Sequence, residues 1–159
     1  MQKISPFLWF DTQAEDAANF YVSIFKNSKI VAVNRYGDTG PGPKGQVMTA
    51  AFDLEGQRFT ALNGGKQPNI NFTDAISFVV QCDTQQEIDY YWARLGEGTT
   101  SAGQCGWLKD KFGVSWQVVP KDLPKLLSGD PARTGRVMAA LMKMTKLDLP
   151  ALNRAYDGR

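Results

Sequence analysis

The spacing of hydrophobic residues changes several times along the first 66 residues, and each change predicts a new element. Residues 4–10 are nearly all apolar, as in a buried strand, whereas residues 14–25 carry apolar side chains at helical spacing. Glu55 and Gly56 have the length of a two-residue hairpin turn between two further strands. Alternation of apolar and polar residues predicts strands in residues 29–36, 47–54 and 57–62. The predicted order is therefore β-α-β-β-β.

The opening pattern returns 72 positions later. Residues 76–87 match residues 4–15 at six of twelve positions, where Ile, Ser, Asp, Thr, Gln and Glu recur in order. After the repeat, the pattern predicts a strand in 75–81, a helix ending at Leu95, and strands around Thr99, in 105–109 and in 115–119. The sequence therefore predicts two copies of one supersecondary unit, about residues 1–66 and 70–120, with a site between them.

Local signals mark where helices start and where a loop lies. Thr12 with Glu15, and Thr84 with Glu87, each form a capping-box pattern, in which hydroxyl and carboxylate satisfy free backbone N–H groups. Both helices are expected to begin there. Residues 37–45 contain four Gly and two Pro, which predicts a flexible loop able to cover a pocket.

Residues 121–159 differ in character from the repeat. A short helix is predicted after Asp122, and a longer one from about Thr134 to Lys146 with apolar residues along one face. We interpret this segment as a helical C-terminal extension of the same domain as residues 1–120. Its apolar face is expected to pack on the domain, and its exposed face could contact a second subunit.

Composition limits the partners. A chain of 159 residues with 43% hydrophobic residues is expected to form one globular domain. The 18 basic and 16 acidic residues are scattered, which argues against a nucleic-acid partner. No signal-peptide pattern is present, and no apolar run approaches the roughly 20 residues that span a bilayer, so we expect a cytoplasmic protein without a membrane partner.

The chain contains no histidine, which removes the usual general base and the commonest metal ligand. Cys82 and Cys105 are the only two cysteines, too few for a disulfide framework and without C-x-x-C spacing. Both are expected to be reduced. Much acid–base and nucleophilic catalysis is thereby excluded.

Several segments resemble a known family. Residues 4–10, 17–21, 61–65, 75–78 and 105–120 are similar to the PhnB-like branch of the vicinal oxygen chelate superfamily, and the tail around residues 136–144 fits the same branch. This superfamily includes glyoxalases, bleomycin-resistance proteins and dioxygenases, and members of the branch often carry the label 3-demethylubiquinone-9 3-methyltransferase. The resemblance implies an α+β fold in which two tandem βαβββ units form a partly open barrel around a small-molecule cavity. It also implies a homodimer.

The resemblance also shows where metal-using relatives place their ligands. The matching positions lie near Ser5, Ser77, Thr60 and Gln117. A shift of register by one or two residues would substitute Ile4, Pro6, Ile76, Ala61 or Asn63. Neutral hydroxyl and amide groups do not offset the cost of stripping water from a divalent ion. The expected cavity is therefore free of metal and of any other cofactor.

The candidate cavity residues combine aromatic walls with neutral hydrogen-bonding groups, a composition typical of a binding pocket. They are Trp9, Thr60, Asn63, Ser77, Cys105, Ser115 and Gln117. Cys105 would act as a nucleophile only beside a cation such as Lys109 or Lys111, and a structural role is the simpler interpretation. Trp107 and Trp116 are assigned to the core.

Three functional hypotheses follow. The first is a protein that binds a small apolar or aromatic molecule in a metal-free cavity. The second is a metal-independent enzyme of the same superfamily that orients its substrate with neutral polar groups. The third is the methyltransferase of the family label, although residues 10–13 after the first strand contain no glycine, unlike the cofactor loop of a doubly wound methyltransferase. The first hypothesis is the simplest, because it requires these residues only to bind a molecule.

Overall fold

The structure, a computed structural model, describes residues 2–159 and divides into a first unit that ends at Asn71 and a second unit, Phe72–Arg159. The elements of the first unit are β1 (Phe7–Phe10), α1 (Ala14–Ile24), β2 (Ser28–Arg35), β3 (Val47–Leu54) and β4 (Gln57–Asn63). Its sheet has the order β1-β4-β3-β2, with β1 parallel to β4 and the other pairs antiparallel. The β-α-β-β-β order predicted for this unit is confirmed.

The core of the first unit lies between α1 and the sheet. Ala17, Tyr21 and Ile24 are buried on one face of the helix, as the helical spacing of apolar residues predicted. The Tyr21 ring stacks 6.1 Å from that of Phe52, which in turn stacks 5.4 Å from Phe59. The three rings link α1, β3 and β4 into one aromatic layer.

The turn between β3 and β4 confirms the predicted two-residue hairpin. Glu55 and Gly56 have φ values of 48° and 83°. Two successive positive φ values define a type I′ turn, whose twist matches that of the flanking strands. Leu54 and Gln57 are paired across it.

Only one of the two predicted capping boxes forms. Thr84 caps its helix, and its hydroxyl accepts a hydrogen bond from Glu87 N at 3.2 Å. The Thr12 prediction is wrong, because α1 begins at Ala14 with Gln13 at the N-cap and no cap bond from the Gln13 side chain. Ala14 N instead donates to Asn63 Oδ1 at 2.8 Å. The side-chain amide of Asn63, at the end of β4, thus takes the place of the Thr12 hydroxyl at the start of α1.

Residues 37–45 fold around their neighbour Tyr36, which is buried. A Cβ at Gly40 or Gly42 would lie 2.8 or 2.3 Å from atoms of the Tyr36 ring, closer than real Cβ atoms approach. The Tyr36 hydroxyl donates to Asn63 O at 2.6 Å. The glycines of this loop therefore allow close packing on an aromatic ring.

The elements of the second unit are β5 (Phe78–Cys82), α2 (Gln85–Leu95), β6 (Trp107–Lys109), β7 (Ser115–Pro120), α3 (Leu123–Leu126), α4 (Pro131–Leu141) and α5 (Leu149–Asp157). Its sheet has the order β5-β7-β6. The strand predicted around Thr99 does not form, because Gly98 and Gly103 adopt φ values of 72° and 74° that break extended backbone. A single bridge between Gln104 and Trp107 is the only pairing there.

Residues 121–159, called the extension below, contain α3, α4 and α5. Helix α4 begins at Pro131 and ends at Leu141, earlier than predicted at both ends, since the Asp130 side chain caps it by accepting from Arg133 N. Helix α5 was missed, although Asp148 accepts from Ala151 N and Pro150 follows it closely. The apolar cluster that holds these helices consists of Val119, Leu126, Val137, Leu141, Leu147 and Leu152.

Candidate functional site

The second unit contains a solvent-open cavity of about 710 Å³, called the second-unit cavity below. Its lining residues are Asp74, Ser101, Ala102, Gly103, Gln104, Cys105, Trp107, Leu108, Lys109 and Met142. Trp107 and Lys109 are alternate residues of β6 and share one face of that strand. The volume falls within the range of small-molecule sites, about 300–1,000 Å³.

A tight turn forms one side of the second-unit cavity. Gln104 and Trp107 exchange two backbone hydrogen bonds, of 3.0 and 2.9 Å. Between them, Cys105 and Gly106 have φ values of 55° and 83°, again a type I′ turn. The sequence interpretation placed Cys105 at the start of a strand, and it lies instead in the left-handed region, which non-glycine residues seldom adopt.

The cavity has a charged edge. Asp74 Oδ1 accepts a hydrogen bond from Ser115 Oγ at 2.7 Å, and Lys109 Nζ lies 3.5 Å from the same oxygen. The Ser115 hydrogen bond, together with the Lys109 charge, lowers the pKa of Asp74 below its ordinary value. Asp74 is therefore ionised at neutral pH and balances the charge of Lys109. Ser115, a predicted site residue, is 1% exposed beneath this pair.

Two other predicted residues are hydrogen-bonded to each other. Gln117 lies on β7, and Ser77 lies just before β5. Gln117 Nε2 donates to the Ser77 hydroxyl at 2.9 Å. Both groups are neutral and bonded to each other, a donor set that does not fit a divalent metal ion. Within residues 2–159, no three His, Cys, Asp or Glu side chains gather closely enough to hold a metal ion.

The remaining predicted residues, Trp9, Thr60 and Asn63, belong to the first unit. Trp9 Nε1 donates to Gly65 O at 2.9 Å, and the indole packs so closely on Gly64 that a Cβ there would lie 2.2 Å from it. Thr60 N on β4 donates to the carbonyl of Pro6, just before β1, at 3.1 Å.

Both polar side-chain atoms of Asn63 form hydrogen bonds within the protein. In addition to accepting from Ala14 N, it donates from Nδ2 to Val47 O at 3.1 Å. It also lines a second cavity, of about 370 Å³, in the first unit. Its hydrogen bonds hold the start of α1 against β3 and β4.

The two cysteines differ in environment. Cys82 is 1% exposed, and burial, with smaller contributions from Glu87 and Asp83, raises the pKa of its thiol to about 12. Cys105 is half-buried in the turn beside the cavity. Of the cations named as its activators, Lys109 is paired with Asp74, and Lys111 Nζ lies over the Phe112 ring, 5.5 Å from its centroid. Both thiols are free of disulfide bonds.

Of the ten residues that line the second-unit cavity, the predicted site set contained Cys105 alone and missed the other nine, among them Asp74, Trp107, Lys109 and Met142. Trp107 was assigned to the core, but it is half-buried and faces the cavity, whereas Trp116 is 3% exposed and its core assignment is confirmed. Because Trp107 and Lys109 are alternate residues of a strand, the sequence alone could have indicated that they share one face. Asp74 and Met142 reach the cavity from distant parts of the chain, and no local pattern marks them.

Among residues 2–159, each helix is too short or too polar to span a membrane.

Each unit has a mixed sheet with one parallel strand pair and a helix after its first strand. The two units also share a repeated opening motif. Together these features define the glyoxalase/bleomycin-resistance/dioxygenase fold. The chain belongs to the PhnB-like family of this fold, and residues 2–119 match the family described as 3-demethylubiquinone-9 3-methyltransferase. The predicted α+β class and family are thus confirmed. The extension lies outside the family match.

Several solved structures are similar to this chain. A Bacillus cereus protein whose description carries the same methyltransferase name and the name PhnB is 41% identical, with a TM-score of 0.67 over 75% of this chain and 99% of that chain. The protein PA1353 from Pseudomonas aeruginosa is 22% identical, with a TM-score of 0.59 over 76% of this chain and 98% of that chain. A third, described as a possible glyoxalase from Bacillus cereus, is 13% identical, with a TM-score of 0.44 over 74% and 99%. Among curated proteins, no significant match is found.

Proposed function

We propose that this PhnB-like protein binds a small apolar or aromatic molecule in the second-unit cavity without a metal ion. The observation that supports the proposal best is the juxtaposition of Trp107 and Met142 with the Asp74–Lys109 pair around one open volume. An aromatic and a thioether surface favour an apolar ring, and the paired charges leave no net charge to attract a strongly ionic ligand. A polar substituent of the ligand would meet Lys109 or Gln104.

The metal-free part of the proposal rests on the chemistry of the donor set. Near the positions where the resemblance implies metal ligands, this chain offers Ser5, Ser77, Thr60 and Gln117. Two of them satisfy each other in the Ser77–Gln117 hydrogen bond. Elemental analysis of the dialysed protein is expected to find far less than one metal ion per chain, and stoichiometric metal would overturn this part.

The binding proposal is tested by ¹H–¹⁵N NMR titration with 2-naphthol, an aromatic probe with one hydroxyl. The chain has four tryptophans, whose indole N–H signals report separate places in the structure. The Trp107 signal is expected to shift most. Those of Trp9 and Trp116, which donate to Gly65 O and Asp110 Oδ2, serve as internal controls.

Two results would contradict the proposal. Absence of any saturable shift would exclude binding of such a probe, and a shift centred on Trp9 would instead favour the first-unit residues that the sequence predicted. Single Trp→Phe variants assign the four signals before the titration.

Metal-independent catalysis is a second candidate, favoured by one observation. Asp74, Lys109 and Ser115 form a hydrogen-bonded and charge-paired group at the cavity edge. A lysine ammonium in such a place could polarise a substrate carbonyl. Loss of turnover in Lys109→Met, with probe binding retained, would support this candidate, whereas no product from any bound compound would count against it.

Methyl transfer, the activity named in the family's description, has less support from this chain. The turn between β1 and α1 lacks the glycines that let a helix N-terminus approach a nucleotide-like cofactor. The antiparallel pairs in both sheets also differ from a doubly wound parallel sheet. We therefore do not build the proposal on the label.

We also propose that the protein forms a homodimer. Four apolar side chains near the first strands of the two units are exposed at equivalent positions of the repeat: Ile4 (88%) with Ile76 (73%), and Phe7 (60%) with Val79 (52%). Exposed apolar surface of this kind is typical of interaction faces. In a homodimer with two-fold symmetry, such a face would be covered by its copy on the partner.

A further inference from the structure

The extension is docked on the turn that forms one side of the second-unit cavity. Cys105 N donates to Met144 O at 2.9 Å, and Gly106 N donates to Thr145 O at 2.8 Å. A Cβ at Gly106 would lie 3.0 Å from Leu147 Cγ and 3.1 Å from Val118 O, so a side chain there would press on both neighbours in addition to straining the backbone at a φ of 83°. The turn therefore fits against the extension closely.

Residues 142–149, called the clasp segment below, are also fixed to helix α2. The Gln85 side chain donates to Leu147 O at 3.0 Å and accepts from Leu149 N at 2.7 Å. Lys146 Nζ lies 2.6 Å from Asp89 Oδ1. Leu147 is fully buried in the apolar cluster of the extension. The clasp segment is thus held on both sides, by α2 and by the turn.

Met142 is the residue of the clasp segment that lines the cavity. It is the C-cap residue of α4 and is 58% exposed, so much of its side chain is accessible to a molecule that enters the cavity. An unbranched thioether can adapt its shape to a bound ring. Because the segment behind it is fixed, the space available to a ligand on this side depends on the Met142 side chain.

We propose that the extension sets the size of molecule that the second-unit cavity accepts, with Met142 as the specificity-determining residue. The inference deepens the binding function proposed above and rests on it. The family match ends at residue 119, so this wall lies outside the matched residues. The cavity is completed by a part of the chain that the family match does not describe.

The test compares the affinities of phenol and 2-naphthol, one ring and two, for the full chain and its variants by NMR titration. Met142→Trp, which fills the cavity, is expected to weaken 2-naphthol relative to phenol by about tenfold, whereas Met142→Ala is expected to shift the ratio in the opposite direction. Met138, exposed on the same helix and absent from the cavity lining, gives matched controls. Met138→Trp and Met138→Ala are expected to leave the ratio unchanged.

Each outcome decides a different point. If the wild-type chain binds both probes and the Met142 variants keep the wild-type ratio, the inference is wrong and the binding function stands. If the Met138 variants change the ratio equally, the effect belongs to α4 in general and the inference is also wrong. If the wild-type chain binds neither probe, the binding function is overturned and the inference with it. Thermal unfolding of each variant confirms that the fold is retained.

Discussion

Asn63 connects three parts of the first unit through one residue. Its side chain binds Ala14 N and Val47 O, and its carbonyl accepts from the Tyr36 hydroxyl. Sequence reasoning took it for a ligand-binding group, as one of the neutral hydrogen-bonding groups expected beside aromatic walls. Its amide is already used at both ends within the protein, which favours a structural role.

We expect Asn63→Ala to lower the free energy of unfolding by about 2 kcal/mol, because Ala14 N–H and Val47 C=O both lose their partner. Urea denaturation followed by circular dichroism measures the change. Asn71→Ala, at an exposed asparagine of the same unit, is the control and should change stability little. Equal stability of the two variants would show that the Asn63 bonds contribute nothing.

Cys82 and Cys105 should differ in reactivity. Cys82 is 1% exposed and its pKa is raised to about 12, so at mildly alkaline pH it is both covered and protonated. We expect iodoacetamide to modify half-buried Cys105 first and to spare Cys82 until the protein is unfolded. Mass spectrometry of tryptic peptides locates the label, and Cys105→Ser isolates the response of Cys82.

The raised pKa of Cys82 has a defined effect on stability. The unfolded thiol ionises near its ordinary value of 9.0, whereas the folded thiol remains protonated up to about 12. The stability that depends on the protonated thiol is complete below pH 9.0 and is lost as the pH rises toward 12. Cys82→Ala should flatten the pH dependence of unfolding in this window, and an unchanged slope would contradict the assignment.

Among the elements, the two type I′ turns form a natural comparison. Gly56 and Gly106 both have a φ of 83° at the second turn position. A Cβ at Gly56 would meet nothing within 4 Å, whereas one at Gly106 would meet Leu147 and Val118. The first site tests backbone strain alone, and the second tests strain together with the docking of the extension.

Gly56→Ala is expected to cost about 1 kcal/mol, from the left-handed backbone alone. Gly106→Ala should cost more, about 2–3 kcal/mol, because the extension must move as well. Chemical denaturation measures both variants, and the difference between them reports the contact with Leu147. Equal losses of stability in the two variants would mean that Leu147 moves away from residue 106 without a measurable loss of free energy.

The elements also show what a sequence can and cannot predict. The Glu55–Gly56 turn and the Thr84 cap follow from residues adjacent in sequence, and both were predicted. The Thr12 cap failed because the partner that replaced it, Asn63, is 49 residues away from Ala14. The strand at Thr99 failed because flanking glycines with positive φ interrupt it. Local patterns are decisive where no distant group competes.

For the whole molecule, the fold was predictable from the repeat, but the cavity was not. The repeat fixes strand and helix order, because apolar periodicity depends on neighbours in sequence. The second-unit cavity combines Asp74, the turn at Cys105 and Met142, which only the packing of the extension brings together. Of the seven predicted residues, Cys105 lines this cavity, and a role for the other six in ligand binding remains a prediction.

The homodimer is tested at the same scale. Light scattering after size exclusion is expected to give twice the chain mass of 17.6 kDa at micromolar concentration. Ile76→Asp should weaken the dimer by about tenfold or more, because a charge would be buried in the apolar interface.

Ile70→Asp serves as the control, since Ile70 is exposed but lies outside the repeated positions. A wild-type monomer would contradict the dimer proposal. Equal weakening by both substitutions would place the interface elsewhere.

The bonds between the turn and the clasp segment also order events during synthesis. Met144 follows Cys105 by 39 positions, so a ribosome adding 5–20 residues per second leaves the turn without its partner carbonyls for about 2–8 s. The first unit draws its hydrogen bonds and aromatic layer from residues made well before that interval. The residues of the first unit are therefore all present while the second unit still lacks the clasp segment, and the cavity acquires its last wall only when translation has passed Met142 and the clasp segment has emerged.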